Sequence, residues 1–540
     1  MTRDVDVVVV GAGFAGLYAL HRLRSDGLTV RVLEAADGVG GVWYWNRYPG
    51  ARCDVESIDY SYSFDEQLEQ EWDWSEKYAT QPEILRYLNH VADRFNLRPD
   101  ITFGVRVTDA VFDEGLLRWE IRTNTGETVS AQFLVLAVGP LSNANIPAID
   151  GLDSFGGPIY HTAHWPHHGV DFAGQRVGVI GTGSSGIQAI PYIARQAREL
   201  YVFQRSPNYS VPAGNVPLDS ATRRAQKAGY PERRRLSMAS GGGSPHQPHP
   251  SPALDVPEQE RREAYEKRWQ LGGVLFSKTF PDQLLEIGAN DTARVFWEEK
   301  IRALVEDPRT AEWLIPNDHP IGTKRICTGD NYYQTFNRDN VTLINLRATP
   351  IVGMDATGLG TSDSYYGLDA LVLATGFDAM TGSVNKLNIV GREGETLNSA
   401  WASGPVTYLG LGVPRFPNLF NISGPGSPSV LANMVLHSEL HVDWIADAIG
   451  YVIAHGASAI EATPSAAVDW TAECTQRAAA GLMLRANSWY LGANVPGKPR
   501  VFMPFVGGFG VYGEIIAEVA AAGYKGFELL GTNRSGASSR

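Results

Sequence analysis

Val5-Asp6-Val7-Val8-Val9-Val10 runs straight into Gly11-Ala12-Gly13-Phe14-Ala15-Gly16, and Leu17 to Leu23 then takes up helical spacing. An apolar run of this kind, stopped by glycine, reads as a buried parallel strand. The glycines allow a tight turn, close approach of a diphosphate to the backbone and close packing of helix on strand. A second strand, Leu28 to Leu33, ends at Glu34, about two dozen residues past the first glycine, where a ribose 2′-hydroxyl needs a carboxylate acceptor.

The same grammar restarts at Gln175 to Ile180, passes through Gly181-Thr182-Gly183-Ser184-Ser185-Gly186 into a helix, and reaches a strand at Leu200 to Phe203. Here the acid position holds Gln204 and Arg205, and a guanidinium there can grip a 2′-phosphate by two hydrogen bonds. The first unit is therefore expected to take FAD, with Gly11, Gly13, Gly16 and Glu34 as contacts. The second is expected to take NADPH, with Gly181, Gly183, Ser184, Gly186 and Arg205. A protein that holds two redox nucleotides passes electrons between them, so the chain reads as an oxidoreductase.

The expected fold class is α/β, with two Rossmann-like dinucleotide-binding domains and a helical insertion. A length of 540 residues exceeds one core. Strands resume at Val341 to Asn345 and Ala370 to Ala374, so the domains are expected to be discontinuous. Residues 1–140 and 375–540 are assigned to the FAD domain, 141–212 and 321–374 to the NADP domain, and 213–320 to the insertion. The charged stretch Glu258 to Lys267 predicts a helix with an exposed face, and His437 to Tyr451 predicts another. Ser240 to Pro250, rich in glycine, proline and histidine, reads as a surface loop, with a gate over a pocket as the alternative. A short polar end follows Gly531.

A net charge of −13 gives no footprint for nucleic acid or anionic lipid. The N-terminal apolar run is broken by glycines before it could span a bilayer, so no membrane partner and a cytoplasmic location are expected. A monomer is the expected state. Cys53, Cys327 and Cys474 are far apart, which argues against a disulfide framework, a metal site or a redox cysteine pair.

Between the loops stands Phe155-Gly156-Gly157-Pro158-Ile159-Tyr160-His161-Thr162-Ala163-His164-Trp165-Pro166, which resembles in full the F-x-G-x-x-x-H-x-x-x-W-P signature of the type I Baeyer-Villiger monooxygenases. Gly41-Val42-Trp43 through Tyr48-Pro49-Gly50 to Asp54 resembles the family's other signature. Within the family the text is most similar to the steroid and phenylacetone monooxygenases. The resemblance implies FAD, NADPH and O2, a C4a-peroxyflavin, and insertion of one oxygen atom beside the carbonyl of a bulky ketone to give an ester or lactone. N- and S-oxygenating flavin enzymes share the glycine loops but carry tyrosine at the position of Trp165. A phenylacetone- or cyclic-ketone-type enzyme and an N/S-oxygenating one remain the alternatives.

By the same resemblance Arg325 stabilises the developing oxyanion, Asp54 orients it, and Lys324 reaches the NADPH 2′-phosphate. Trp43 and Tyr60 contact the flavin, Trp489 closes over the nicotinamide ribose, and Val430, Leu431 and Met434 wall the substrate pocket. An anion in a desolvated site needs a fixed cation, which an arginine supplies because it stays protonated. His161 is not read as a general base, since a peroxyanion needs none. Its place between the nucleotide domains suggests a role in domain motion. His164, His167 and His168 are expected to be surface groups.

Overall fold

The strand that begins the chain, Arg3–Val10, lies at the centre of the first sheet in the computed structural model, which describes residues 3–531. It runs parallel to Val30–Leu33 on one side and Thr128–Leu136 on the other, with Val9 opposite Val32 and Val135. Helices Phe14–Ser25 and Met434–Ala454 cover the face of Val7 and Val9, and the hairpin residues Val107, Phe112, Trp119 and Ile121 cover that of Val8, so Val7, Val8 and Val9 are all fully buried and no polar alternation interrupts the run. Ile101–Thr102 extends one edge. Leu419–Asn421, from far along the chain, pairs with the end of Thr128–Leu136. The earlier half of that strand instead carries the antiparallel hairpin Val107–Asp113 and Arg118–Thr123.

The second sheet is wholly parallel, in the order Val341–Asn345, Glu199–Gln204, Arg176–Ile180, Ala370–Leu373, Ile159–His161. Its central strand again feeds a glycine loop. The chain passes between the sheets twice, and the two passages lie side by side. Asn145 N–H donates to Gly376 O, Asp378 N–H to Asn143 O and Met380 N–H to Pro140 O.

The segment from 213 to 320 contains five α-helices, Ser220–Ala228, Tyr230–Ala239, Glu258–Leu271, Ile287–Leu304 and Pro308–Leu314. Ile287–Leu304 is anchored where Trp297 Nε1–H donates to Ser210 O at 2.8 Å. Tyr230–Ala239 docks on the first sheet's side through tandem arginines: Arg233 forks onto Asp59 and Arg234 pairs with Glu69. The long helix near the end is Met434–Ala454, longer than the expected His437 to Tyr451. Asn433 starts it by accepting from Val435 N–H, the cap role asparagine favours.

The loop 240–250 is not a free surface loop. Its backbone is bonded to Phe509, Gly510, Asn433 and Thr279, and His246 donates to Lys278 O. The polar end after Gly531 lies outside the described residues.

Candidate active site

Both glycine loops impose the same contacts. Gly11 has φ +106 and Gly181 φ +109, and a Cβ at these positions would lie 2.6 Å from Ala137 O and 2.4 Å from Ala374 O. A Cβ on Gly16 would lie 1.8 Å from Gly11 O, and one on Gly186 2.2 Å from Gly181 O. Only glycine lets each helix start this close to its strand. Gly13 and Gly183 begin the helices Phe14–Ser25 and Ser184–Gln196 with no side-chain cap, which leaves the first N–H groups for an anionic ligand. Both cradles fit a dinucleotide diphosphate.

The strand ends differ as the sequence predicts. Glu34, 5% exposed, accepts from Ala12 N–H at 2.6 Å and Ala36 N–H at 2.8 Å. Burial raises its pKa, and these backbone donors hold the carboxylate in place for a ribose hydroxyl. Gln204 instead accepts from Thr182 Oγ1–H and donates to Trp313 O. Beside it Arg205 is exposed, and burial lowers the pKa of Lys324, against the pull of Asp318 and with a further push from Arg347 and Arg205. Arg347 also donates to Ser206 Oγ at 3.0 Å. Three cations against the single carboxylate of Asp318, itself paired to Arg347, suit a phosphate monoester. Arg347 was not anticipated. The signal was its place just past the strand that neighbours Glu199–Gln204.

Arg325 and Asp54, 271 residues apart, form a two-pronged pair: Nε–H to Oδ2 at 2.7 Å and Nη2–H to Oδ1 at 2.8 Å. Arg325 Nη1–H donates to Val430 O at 2.8 Å. Burial opposes both charges, but mutual attraction outweighs it, so the Asp54 pKa lies below and the Arg325 pKa above the usual value. The side chains of Asp54 and Arg325 nevertheless keep 21% and 25% of their surface open. Lys324 and Arg325 lie in a loop rather than at a helix end.

Trp43 Nε1–H donates to Tyr60 Oη at 3.1 Å, and both rings are buried. Val430, Leu431, Met434 and Trp489 belong to one apolar cluster with Tyr490, Met380 and Met503. Tyr490 is a second residue the sequence did not single out. It packs against Trp489 with ring centroids 4.4 Å apart, bonds to Arg325, and is pushed up to about 12 by burial. The predicted residues therefore gather into three places: the two loops, the phosphate corner and the neighbourhood of Arg325.

The signature residues have structural roles. Trp165 is 3% exposed and packs with Tyr160 and Phe172 in the second core. Tyr48 Oη–H donates to Gln188 Oε1 on the Ser184–Gln196 helix, and a Cβ on Gly50 would strike Tyr192 and Gln188 O. The Tyr-Pro-Gly turn thus clasps the two units together. His161 accepts from Ala163 N–H through Nδ1 and donates through Nε2 to Thr375 Oγ1, which donates to Asn145 O. It bridges the two passages between sheets and makes no contact with Arg325 among the described residues. His164, His167 and His168 are exposed.

The cysteines are all buried and unpaired, and no cluster of metal-binding side chains exists among the described residues. No described helix is long and apolar enough to cross a membrane. A surface groove of about 860 Å³ between Leu85, Arg86 and His167 contains none of the residues expected at the site.

Two dinucleotide cradles together with the paired Arg325 and Asp54 define a two-nucleotide redox enzyme. Residues 8–220 match the family described as pyridine nucleotide-disulphide oxidoreductase. Over 525 residues the chain is 43% identical to a Baeyer-Villiger monooxygenase of Pseudooceanicola batsensis, covering 96% of this chain and 95% of that one. It is 42% identical to phenazine N-monooxygenase PhzNO1 of Lysobacter antibioticus over 97% of each. A solved structure of an oxidized steroid monooxygenase bound to NADP matches with TM-score 0.94 at 71% identity, over 98% of this chain and 99% of that chain. The chain belongs to the type I Baeyer-Villiger monooxygenases, FAD- and NADPH-dependent flavoprotein monooxygenases.

Proposed function

We propose that the enzyme oxidises bulky ketones of the progesterone type to esters. The observation that carries this reading is the apolar wall of Val430, Leu431, Met434 and Trp489 beside Arg325, supported by likeness to a steroid monooxygenase. Such a wall suits a large hydrocarbon body with one oriented carbonyl. When bound, reduced flavin activates O2 and supplies one oxygen atom.

Asp54 and Val430 O hold the Arg325 guanidinium in one orientation. It meets developing negative charge on oxygen without having to reorganise. Asp54, ionised and committed to Arg325, serves as an orienting group and not as an acid. Arg205 and Lys324, together with Arg347, hold the NADPH 2′-phosphate, while Trp489 closes over the nicotinamide ribose. Trp43 and Tyr60 lie against the flavin, and His161 couples the two passages on which the units move.

The reading keeps the division into 1–140 with 375–540, 141–212 with 321–374, and 213–320, supported by the two sheets. It also takes the enzyme as a cytoplasmic monomer. The test is product analysis with progesterone, phenylacetone and cyclohexanone under NADPH and O2. Ester from progesterone at the highest kcat/KM supports the steroid reading. Ester from the smaller ketones alone replaces it with a phenylacetone- or cyclic-ketone-type activity. N-oxide or sulfoxide with no ester favours the alternative that the phenazine relative exemplifies.

A further inference from the structure

Arg325 is neutralised by Asp54, but a second cation faces the same region without a counter-charge. Lys278 ends the short helix Val274–Lys278, and its carbonyl is fixed by the His246 bond, with Arg268 donating to the other ring nitrogen of His246. A Cβ on Gly242 would lie 3.5 Å from Lys278 Nζ and 3.9 Å from Leu431 O, so the ammonium and the turn that Arg325 holds through Val430 O flank the same glycine. Gly242 is open to it because it has no side chain, and Gly242 O is already engaged by Asn433 N–H.

Among the described residues no carboxylate pairs with Lys278 and no acceptor lies within bonding distance of Nζ. Burial lowers its pKa, and the positive charge of Arg325 lowers it further. A partly buried ammonium with no partner gains most from a ligand that provides the acceptor. The NADPH phosphates have their own donors at Ser184 and at the Arg205, Lys324 and Arg347 corner. Lys278 instead stands on the side walled by Leu431.

Resting on the proposed reading, we infer that Lys278 is a specificity-determining residue that hydrogen-bonds a second oxygen on the ketone, remote from the carbonyl that reacts. The favoured substrates are therefore ketones that carry a further carbonyl or carboxylate oxygen. Progesterone qualifies through its ring A carbonyl, and pregnan-20-one, which lacks that oxygen, does not.

The test titrates both steroids into the oxidised, FAD- and NADP+-loaded enzyme and follows the visible flavin band. Wild type should bind progesterone more tightly, and Lys278→Met should reduce the affinity ratio by about tenfold, the usual scale for a hydrogen bond to a charged group. Lys278→Arg should keep most of the ratio. A ratio unchanged in Lys278→Met, or a fall in NADP+ affinity in its place, overturns the assignment. If wild type binds neither steroid, the steroid reading fails by itself. The ratio is then taken between 6-oxoheptanoate and 2-heptanone, and its invariance in Lys278→Met overturns the role of the lysine.

Discussion

At the scale of single residues, the proposed role of Arg325 in the chemistry rests on its two-pronged pair with Asp54. Arg325→Ala removes a preorganised donor and should lower ester formation by about 100- to 1000-fold, the cost of losing one such group, while the FAD absorbance is retained. Asp54→Ala leaves Arg325 buried without its partner and should lower both thermal stability and rate. Since the Asp54 pKa is depressed, the pair stabilises the fold above the usual carboxylate range, and that contribution is lost as pH falls through the folded-state value. At the phosphate corner, Lys324→Ala or Arg347→Ala should each raise the NADPH KM by about tenfold, since each removes a charge-assisted bond. The NADH KM should hardly change. Equal effects on both nucleotides would place these cations elsewhere than on the 2′-phosphate.

At the scale of elements, the glycine loops and the docked helix yield separate predictions. Gly186→Ala would place a methyl group 2.2 Å from Gly181 O, so NADP+ binding should weaken in a protein that still holds FAD. Gly16→Ala should instead yield protein that loses FAD. Isothermal titration and the flavin spectrum separate the two. The helix Met434–Ala454 buries Glu439, which accepts from Ser63 N–H and Oγ–H and from Phe64 N–H. Burial lifts its pKa from 4.5 to about 7, against the pull of Arg234. The folded state therefore keeps a proton that the unfolded chain releases, so this group costs stability progressively as pH rises from about 4.5 to 7. Glu439→Gln should flatten the fall in Tm across that window. An unchanged Tm profile would show that Glu439 stays ionised in the folded state.

The sequence made most of the two units legible because strand, glycine loop, helix and terminal acid or arginine are local patterns. The strand Val341–Asn345 lies where the sequence places it, and Glu34 and Arg205 stand at the strand ends that their chemistry requires. Arg325 and Asp54 could be named only through the family signatures, because their contact spans 271 residues. Lys278, Tyr490 and Arg347 carry no motif at all. They become visible only in the fold, where Arg347 meets Ser206 and Asp318 and where Tyr490 and Lys278 come near Arg325. The loop 240–250 lies at the surface as expected, but its anchoring could not be read from the sequence, since its partners at Asn433 and Phe509 lie far along the chain.

At the scale of the whole molecule, two sheets are tied by the paired passages, the His161–Thr375 bond and the turn from Tyr48 to Gly50 on the Ser184–Gln196 helix. Gly50→Val should force that turn from Tyr192, slow flavin reduction by NADPH and leave each nucleotide bound. Stopped-flow reduction kinetics check this. Trp165 is buried in the second core against Tyr160 and Phe172, so Trp165→Phe should lower stability more than it changes the kind of product. The central claim is that this assembly inserts one atom of O2 into a ketone under the control of Arg325. Its most direct test supplies 18O2, NADPH and progesterone to the holoenzyme and analyses the product by mass spectrometry. An ester carrying one 18O atom, absent from Arg325→Ala, is the expected result. NADPH consumption that gives hydrogen peroxide and no labelled ester would contradict the account.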